Sequence, residues 1–382
     1  MTTFLTFLFW TTLFLCSATY FFYPAALVLL SRFRKIRVNK NIIEPTVSIL
    51  IAAYNEEKDI LRKIINTLSL DYPEEKMEIL IGSDGSTDDT VQVAQRISSS
   101  RVQIYPFPIN RGKTSVQNDL VANAKGDILV FTDAASFLNV GAIRNIVRNF
   151  ADPQVGCVAG RMRFVNTDDN LTTRSQGLYW RYEGAIRALE SRMGSLIGVD
   201  GPLYAVRRQL YVPLASQAIS DLLTPLLVLE QGKKVVLEPD AIVDEDPTRQ
   251  SGHEFKTRRR ITLRGLTGLA MYRKLLNPLR NPSLALQIFF HKVLRWFVGP
   301  LVIMHLLACL ALSGQITYRA ALVVYVAFFI AAAAGWLFES RGGKNRLLTV
   351  PYYFSLVNLA ATMGIIDFFR KKQATSWKPV RF

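Results

Sequence analysis

Two aspartates follow apolar runs that are typical of buried strands, and both could bind a ligand there. Asp84 follows residues 77–83, and Asp133 follows residues 127–132. In open α/β sheets, ligands bind beyond the carboxyl ends of the strands, where the connections change direction. A carboxylate at that edge can accept a hydrogen bond from a ribose hydroxyl or hold a divalent cation that carries phosphates. The two aspartates therefore predict one ligand site at one edge of a sheet.

Two further loops are expected at the same edge. Residues 53–56 follow the first predicted strand, and Arg111, Gly112 and Lys113 follow the third. Arg111 and Lys113 could neutralise a diphosphate, or they could be solvated loop charges. Asp84 likewise has two interpretations, because it could bind ribose beside a helix N-terminus or help to cap the helix that follows.

Strand-like and helix-like segments alternate between residues 46 and 246. Apolar runs predict strands over 47–52, 77–83, 102–105 and 128–132, and helical periodicity predicts helices over 56–70, 88–97 and 113–124. The spacing of Ser86 and Asp89 resembles a capping box at the start of the second helix. Such alternation predicts an α/β domain with a mostly parallel sheet that is covered on both faces.

Charge and composition favour a membrane surface over nucleic acid. The chain has 382 residues, half of them hydrophobic, with 46 Lys and Arg against 30 Asp and Glu. No helix-turn-helix, zinc-finger spacing or aromatic RNA-binding motif accompanies this charge. Three widely separated cysteines give neither a metal site nor a disulfide framework. The basic residues instead lie beside apolar segments, as on the cytoplasmic face of a bilayer, notably Arg32, Arg34, Lys35, Arg37, Lys40, Lys344 and Arg346.

Four apolar segments are long enough to cross a bilayer. Residues 4–30 carry no charge, and because the chain start is neutral we predict an uncleaved anchor rather than a signal peptide. The positive flank that follows predicts a cytoplasmic middle domain. Further spans are predicted over 296–312, 318–338 and 348–369. With a cytoplasmic middle domain, four spans would place both termini outside the cell. The basic C-terminal tail, however, favours the cytoplasm. Either one C-terminal segment does not cross the bilayer, or this protein departs from the rule that positive residues lie on the cytoplasmic side.

A basic stretch, residues 253–276, interleaves arginines with apolar residues. Either an amphipathic helix on the inner leaflet or a simple positive flank explains it. His291, Lys292 and Arg295 could be interfacial anchors, or they could contact lipid phosphates or a polyprenyl-phosphate acceptor. His305, inside a span, is predicted to be a packed, hydrogen-bonded residue. The expected division is an anchor (1–31), an α/β domain (45–250), a basic amphipathic interfacial segment (251–290), C-terminal spans (291–370) and a basic tail (371–382).

Six motifs in this order resemble those of the family 2 glycosyltransferases, which have a GT-A fold. They are AAYNEE, SDGSTDDT, RGKTSVQN, FTDAAS, VDGPLYAVRR and ISDLLTPL. Within the family, the chain is most similar to membrane-integrated synthases of the cellulose, hyaluronan and poly-N-acetylglucosamine type. The resemblance implies a Rossmann-like GT-A domain in the cytoplasm, flanked by N- and C-terminal transmembrane helices.

The resemblance also implies donor-binding roles. Tyr54 and Glu56 would border the uracil, Asp84 would bind the base and ribose side, and Lys113 would contact the nucleotide. Arg260 matches an arginine that steadies the diphosphate.

Roles in the reaction follow in the same way. Asp133 would hold Mg²⁺ or Mn²⁺ at the donor diphosphate, and Asp221 matches the catalytic base. A loop beside the acceptor is matched by Gly201, Pro202, Leu203 and Tyr204.

Two departures from the family pattern alter these expectations. Ala135 replaces the second aspartate of the metal-binding motif, which weakens the expected metal dependence without excluding it. Thr257 and Ile261 replace the glutamine and tryptophan of the motif that contains Arg260. The loss of this aromatic residue weakens the prediction that the protein synthesises a long polymer.

The resulting hypothesis is a multi-pass enzyme of the cell membrane, an inverting glycosyltransferase. It would move a sugar from a UDP-sugar to a saccharide or lipid-linked acceptor, in exopolysaccharide or glycolipid synthesis, with membrane lipids and no nucleic acid as partners. One alternative is transfer of a single sugar to a lipid. Another is an inactive homologue that binds a nucleotide-sugar in a synthase complex.

Overall fold

The computed structural model describes residues 2–33, 35–165, 171–248, 250–340 and 346–372. Arg34, Lys344 and the predicted basic tail beyond Lys372 lie outside this part of the chain.

A mixed eight-stranded sheet forms the centre of the domain. Its strands are β1 (Val47–Ala53), β2 (Met77–Asp84), β3 (Val102–Phe107), β4 (Ile128–Asp133), β5 (Phe137–Leu138), β6 (Val155–Phe164), β7 (Leu203–Arg207) and β8 (Lys234–Glu245). They lie in the order β3-β2-β1-β4-β7-β6-β8-β5. The pairs β3–β2, β2–β1, β1–β4 and β6–β8 are parallel.

The four predicted strands are confirmed, each one or two residues longer than expected. Every residue of β1 is buried, as both faces of a parallel strand between helical layers require. The register aligns Ala52 with Asp133 and Ala53 with Ser83, so the ends of β1, β2 and β4 meet at one edge. The edge that the sequence predicts for the site is therefore the edge at which Asp84 and Asp133 end their strands.

The second half of the sheet departs from simple strand–helix alternation. Strand β7 runs antiparallel to both β4 and β6, and it lies between them. It begins at Leu203, within the segment predicted as an acceptor loop.

The helices of the domain pack against both faces of the sheet, with one apolar core cluster on each face. They are α2 (Ile60–Leu68), α3 (Thr90–Ala94), α4 (Lys113–Asn123), α5 (Ala142–Val147), α6 (Leu171–Arg192), α7 (Ser220–Glu230) and α8 (Ser251–Met271). One core cluster contains Ile49 and Ile64, and the other contains Leu50 and Leu120. The prediction of a sheet covered on both faces is confirmed.

The first two predicted helices are wrong in their bounds. Helix α2 begins at Ile60 rather than at residue 56, and α3 begins at Thr90. The capping-box prediction is also wrong, because Asp88 rather than Asp89 accepts a hydrogen bond from the Thr90 amide, at 3.1 Å. The Ser86 hydroxyl instead accepts from the amide of Asn55, at 3.1 Å, and so ties the first loop to the second.

Within the part of the chain that the structure describes, four helices are long and apolar enough to cross a membrane: α1 (Thr2–Phe33), α9 (Pro282–Ala311), α10 (Ile316–Glu339) and α11 (Leu347–Phe369). Helix α9 begins at Pro282, before the starts at residues 291 and 296 that the sequence predicts for the C-terminal spans and for the second span. Asn281 caps this helix by accepting from the Leu284 amide at 3.1 Å, and Pro282 occupies the first turn. The segment predicted to be interfacial, residues 251–290, therefore includes the first nine residues of α9.

Two of these helices contain a π-helical turn, at Ala18–Phe22 in α1 and at Phe289–Val293 in α9. The turns lie against each other, because the Thr19 hydroxyl donates to the Phe290 carbonyl at 2.8 Å. His305 is a packed residue as predicted, 2.9 Å from the Thr12 hydroxyl oxygen and stacked on Phe9.

Helix α8 packs against α11, the last of the four apolar helices. The Arg259 guanidinium forms an ion pair with Asp367 of α11. Gly364 allows close contact, since a Cβ there would lie 2.7 Å from the Arg259 carbonyl oxygen. Arg258 and Arg264 of α8 are buried or nearly so. The basic stretch is thus an internal helix between the domain and the spans, with several of its arginines turned inward.

Candidate active site

Lys113 and Asp133 form the centre of the site. Asp133 is the last residue of β4, Lys113 is the first residue of α4, and the Lys113 ammonium donates to Asp133 Oδ1. Gly112, with φ of 95°, turns the chain into α4. The predicted convergence of these two loops is therefore found in the structure.

Asp221 reaches the same place from α7. A Cβ built at Gly201 would lie 3.3 Å from Asp221 Oδ2, 3.4 Å from Lys113 Nζ and 3.9 Å from Asp133 Oδ2. The three charged groups thus surround one small space that glycine leaves open. Burial raises the pKa of Asp221, and the nearby Lys113 and Arg264 oppose this rise. A carboxylate with a raised pKa is a better proton acceptor, which suits a general base.

Two arginines of α8 complete the site. Arg260 lies on the same cavity wall as Asp133 and Asp221, and burial lowers its pKa while both carboxylates oppose the shift. Arg264, four residues later on the same helix face, donates to the Thr114 hydroxyl at 3.0 Å and to the Ser216 carbonyl at 3.2 Å. Burial, with repulsion from Arg260, lowers the pKa of Arg264 to about 10. Sequence reasoning missed Arg264 as a site residue, although its spacing from Arg260 was a signal.

The four residues of the predicted acceptor loop lie in two different environments. Gly201 and Pro202 line the cavity. Leu203 and Tyr204 are fully buried in β7, where the Tyr204 ring stacks on Phe131 with centroids 4.7 Å apart. The side chains of Leu203 and Tyr204 thus belong to the sheet core, and an acceptor role remains a prediction for Gly201 and Pro202.

The remaining residues that are predicted to bind the donor lie at the ends of β1 and β2, beside the cavity rather than on its wall. Asp84 is fully buried, and its carboxylate accepts from the amides of Arg111 and Gly112, both at 2.8 Å. It therefore positions the loop that leads to Lys113. Tyr54 is partly exposed and Glu56 is buried. Their contacts with a base stay predictions.

Arg111 does not lie where a residue that binds the diphosphate is expected. Its guanidinium pairs with Asp119 and lies over the Phe107 ring, 4.6 Å from the centroid.

Lys63 is a fully buried lysine behind the loop of Asp133. Its ammonium donates to the Thr132 hydroxyl at 2.8 Å and to the Ser136 carbonyl at 2.5 Å. Burial lowers its pKa to about 7, although Asp133 and Glu245 attract the charged form. Lys63 therefore fixes both ends of the turn that follows β4.

This lysine gives a testable pH dependence of stability. In the unfolded chain its pKa is near 10.4, so between about pH 7 and pH 10 the unfolded state binds more protons and stability rises with pH. In detergent, Lys63→Met should reduce the rise of melting temperature between pH 7 and 9.5. Lys58→Met, at an exposed position, should keep it. Equal slopes in both variants would contradict the assignment.

Two cavities meet at Asp221. The catalytic cavity, about 280 Å³, is lined by Lys113, Asp133, Gly201, Asp221, Arg260 and Arg264 among others. The second, about 170 Å³, lies toward the spans, and we call it the membrane-side chamber. Its wall includes Tyr20, Tyr179, Glu183, Lys292, Arg295 and Trp296. Both cavities share Trp180, Asp200 and Asp221.

His291, Lys292 and Arg295 are not interfacial anchors. His291 Nε2 lies 3.0 Å from Glu183 Oε1, the Lys292 ammonium donates to the same oxygen at 3.2 Å, and Arg295 donates to Glu183 Oε2 at 2.5 Å. All three residues thus point into the protein. On α6, Glu183, Arg187 and Glu190 recur at helical spacing, a signal for this buried face that sequence reasoning did not use.

The chain is similar in sequence and fold to known glycosyltransferases. Residues 48–212 match the Glycosyl transferase family 2 pattern. The chain is 27% identical to an N-acetylglucosaminyltransferase of Rhizobium meliloti over 216 residues, covering 52% of this chain and 50% of the relative. It is 30% identical to a poly-beta-1,6-N-acetyl-D-glucosamine synthase of Staphylococcus aureus over 157 residues, covering 41% and 38%.

A beta-monoglucosyldiacylglycerol synthase of Synechocystis is 34% identical over 138 residues, covering 35% of this chain and 29% of the relative. The chain thus spans half or less of the length of these curated relatives. A solved mannosyltransferase from Pyrobaculum calidifontis, in complex with GDP-Man and Mn²⁺, shares the fold with a TM-score of 0.74 and 21% identity, over 96% of this chain and 100% of that one. Residues 48–212 therefore form a domain that matches the family 2 glycosyltransferases, and the chain has a GT-A fold.

Proposed function

We propose that this protein is a membrane-bound inverting glycosyltransferase that moves a sugar from a UDP-sugar to a hydroxyl of a saccharide or lipid-linked acceptor. The observation that carries the proposal is the convergence of Lys113, Asp133 and Asp221 around Gly201, with Arg260 on the same cavity wall. Such a site has a base, cations for a leaving diphosphate and room for the reacting atoms.

The reaction is a single displacement. The acceptor oxygen attacks the anomeric carbon while Asp221 accepts the hydroxyl proton, and the bond from that carbon to the diphosphate oxygen breaks. The electron pair leaves with the nucleoside diphosphate, whose growing negative charge faces Lys113 and Arg260. Attack opposite the leaving group inverts the anomeric carbon.

A divalent cation fits this site only together with the donor. Among the residues that the structure describes, no group of three or more His, Cys, Asp or Glu side chains could hold a metal. Asp133 and Asp221 nevertheless approach one small space beside Gly201. One or two carboxylates, phosphates and water suffice for Mg²⁺. Asp133 would hold the ion, which would neutralise part of the diphosphate charge, and Ala135 adds no ligand.

The domain is proposed to lie on the cytoplasmic face, where nucleotide-sugars are made. The basic residues that follow α1 favour this orientation. The catalytic cavity shares Asp221 with the membrane-side chamber, which is lined in part by residues of the candidate spans, and we propose that the acceptor reaches Asp221 from that side.

Transfer of one sugar to a lipid is the second candidate function. It is favoured by Ile261, which replaces the aromatic residue expected beside the site of a polymer synthase, and by the glycolipid synthase among the relatives.

The test is release of nucleoside diphosphate by the protein in native lipid extract, with a panel of UDP- and GDP-sugars, with Mg²⁺ or Mn²⁺ and with EDTA. We expect turnover with a UDP-sugar, a loss of turnover in EDTA, and products that mass spectrometry resolves as a ladder or a single species. Binding of a donor without turnover under any condition would support the inactive-homologue alternative.

Gly201 offers a sharper test of the space at the centre of the site. Gly201→Ala places a methyl group within 4 Å of Asp221 Oδ2, Lys113 Nζ and Asp133 Oδ2. We expect kcat to fall by about tenfold or more, because displacement of a reacting group by even 1 Å is costly.

The matched control is Gly184→Ala in the middle of α6. Among the described residues, and apart from its chain neighbours and the backbone of its own helix, no heavy atom lies within 4 Å of the position that its Cβ would take. Activity should be unchanged, and stability should increase by about 0.5–1 kcal/mol, since alanine favours helix over glycine. Full activity of Gly201→Ala would show that the space beside Gly201 is not used.

A further inference from the structure

Arg264 of α8 binds the turn that precedes α7. Its Nη2 atom donates to the carbonyls of Ser216 and Ala218, at 3.2 and 2.5 Å, and its Nε atom donates to the Gln217 carbonyl at 3.4 Å. Helix α7 begins two residues after Ala218, and its second residue is Asp221. A single guanidinium therefore holds three successive carbonyls immediately before the helix that carries the proposed base.

The start of α7 has no side-chain cap among the described residues. Ile219 occupies the N-cap position, and its apolar side chain offers no oxygen to the amides of the first turn. The Ile219 carbonyl accepts from the amides of Leu222 and Leu223, at 3.3 and 3.0 Å. The place of Ile219 thus sets the place of the helix start, and Ile219 follows directly on the carbonyl that Arg264 binds at the shortest distance.

The same guanidinium reaches α4. Its Nη2 atom donates to the Thr114 hydroxyl at 3.0 Å, and that hydroxyl donates in turn to the Ala218 carbonyl at 2.9 Å. Thr114 follows Lys113, whose ammonium pairs with Asp133. Arg264, Thr114 and Ala218 thus form a triangle of hydrogen bonds that joins α8, α4 and the turn before α7.

Helix α8 is itself packed closely on two sides. A Cβ at Gly265 would lie 2.5 Å from the Trp296 ring of α9, and one at Gly268 would lie 3.0 Å from the Leu223 side chain of α7. Both glycines therefore allow an approach that a larger residue would prevent. The backbone of α8 is in this way a fixed frame from which Arg264 extends.

Arginine has the shape that this contact requires. Its planar guanidinium has five N–H donors in a fixed fork, whereas the ammonium of lysine has three donors around one point. Arg264 is 9% exposed and Ala218 is fully buried. Loss of the guanidinium would therefore leave carbonyls with fewer donors where water has little access, which is costly.

We propose that Arg264 is a positioning residue, which sets the place of Asp221 relative to Lys113 and Arg260 by holding the turn before α7 and the start of α4 together. This inference rests on the proposed function, because it concerns the proposed base and the cations that face the diphosphate. Arg264 acts through the protein and not as a ligand of the substrate, since its Nε and Nη2 atoms already bind protein oxygens.

The test compares Arg264→Lys and Arg264→Met with the wild type, as the full chain in lipid nanodiscs with native lipid extract and the donor that the panel identifies. We expect kcat to fall about 30-fold in both variants, because small misplacements of reacting groups are costly. The Kd of UDP, measured by calorimetry, should stay within about threefold, since the donor contacts remain.

Thr267→Val is the matched control on the same helix. The Thr267 hydroxyl donates to the Leu263 carbonyl of α8 itself, at 2.8 Å. This variant should keep wild-type kcat.

The pH profile separates position from charge. Asp221 lies near Lys113, Arg264, Asp133 and Lys292, and the three cations favour its ionised form. Arg264→Lys keeps the charge, so its acid limb should have the wild-type midpoint although kcat is low. Arg264→Met removes the charge, so its acid limb should move to higher pH. Full activity of Arg264→Lys would assign the role of Arg264 to its charge alone and would overturn the inference.

Thr114→Val removes one corner of the triangle while Arg264 stays in place. We expect kcat to fall about fivefold, the size of one net hydrogen bond. The combined effect of Thr114→Val and Arg264→Lys should be smaller than the product of the separate effects, because residues of one network are coupled. Effects that multiply fully would show that the two residues act separately, and would count against the inference.

Hydrogen exchange gives a readout that needs no turnover. Both Arg264 variants should increase amide exchange over residues 216–223, the turn and the first turn of α7, and Thr267→Val should not. Melting temperatures identify any variant that does not fold, and Thr114→Val, the mildest change, then decides by the same criteria.

The two possible failures are distinguishable. Absence of turnover by the wild type with every donor would overturn the proposed function and this inference with it. Turnover by the wild type, together with unchanged kcat or unchanged exchange in the Arg264 variants, would overturn the inference and leave the proposed function intact.

Discussion

Asp221→Asn should lower kcat by about 10³-fold while leaving the donor Kd nearly unchanged. Removal of a general base costs 10²–10⁴-fold in typical enzymes, and asparagine keeps the size and much of the hydrogen bonding of the aspartate. The measurement is nucleoside diphosphate release at saturating donor and acceptor, with donor binding measured by calorimetry. Asp240→Asn is the matched control, because Asp240 is an exposed carboxylate that pairs with Arg148 at the surface.

The pH profile provides an independent check on Asp221. A base acts in its ionised form, and burial raises the pKa of this carboxyl above its ordinary value. Activity should therefore rise with pH along an acid limb whose midpoint lies above the ordinary aspartate pKa. This limb should be absent from the residual activity of Asp221→Asn. Retention of full activity by the variant would assign the base to another residue.

Arg260→Met should lower kcat/KM by about 10²–10³-fold, the second largest effect that we expect. Removal of one group that stabilises developing negative charge in a water-excluded site typically has this size. Methionine retains most of the aliphatic length of arginine, so the packing of α8 changes little. Arg260 faces Asp133 and Asp221 across the cavity, where the diphosphate is proposed to leave.

Arg273→Met is the matched control, since Arg273 is exposed just beyond the end of α8. It should keep wild-type kcat/KM. Because the lost interaction concerns the leaving group, Arg260→Met should be least impaired with a donor analogue whose leaving group needs little stabilisation. Equal loss with good and poor leaving groups would place the role of Arg260 in binding rather than in the reaction.

The first half of the domain could be predicted because its signals are local. Asp84 and Asp133 each follow a continuous apolar run, and parallel strands place their carboxyl ends at one edge whatever the intervening sequence. The same argument predicted that Lys113 lies at this edge of the sheet. Asp221 and Arg260 carry no such signal, because each begins or lies within a helix far along the chain. Their positions were expected only through the resemblance to a family.

The inward face of the membrane region could not be predicted in the same way. Hydropathy identifies a span but does not say which side chains face a neighbouring helix. Lys292 and Arg295 therefore had the pattern of interfacial anchors, and only the tertiary structure pairs them with Glu183. The burial of Tyr204 has a similar cause, since an antiparallel strand inserted between two others is fixed by non-local pairing.

The attachment of α8 to the last span has a consequence for how the bilayer acts on catalysis. Helix α11 has 23 residues and is about 34 Å long, slightly longer than a hydrocarbon layer of roughly 30 Å. Such a helix adjusts to membrane thickness by tilting. The ion pair between Asp367 of α11 and Arg259 joins this helix to α8, which also carries Arg260, so we expect a change of tilt to move α8. Activity is therefore expected to vary with the acyl-chain length of the surrounding lipid.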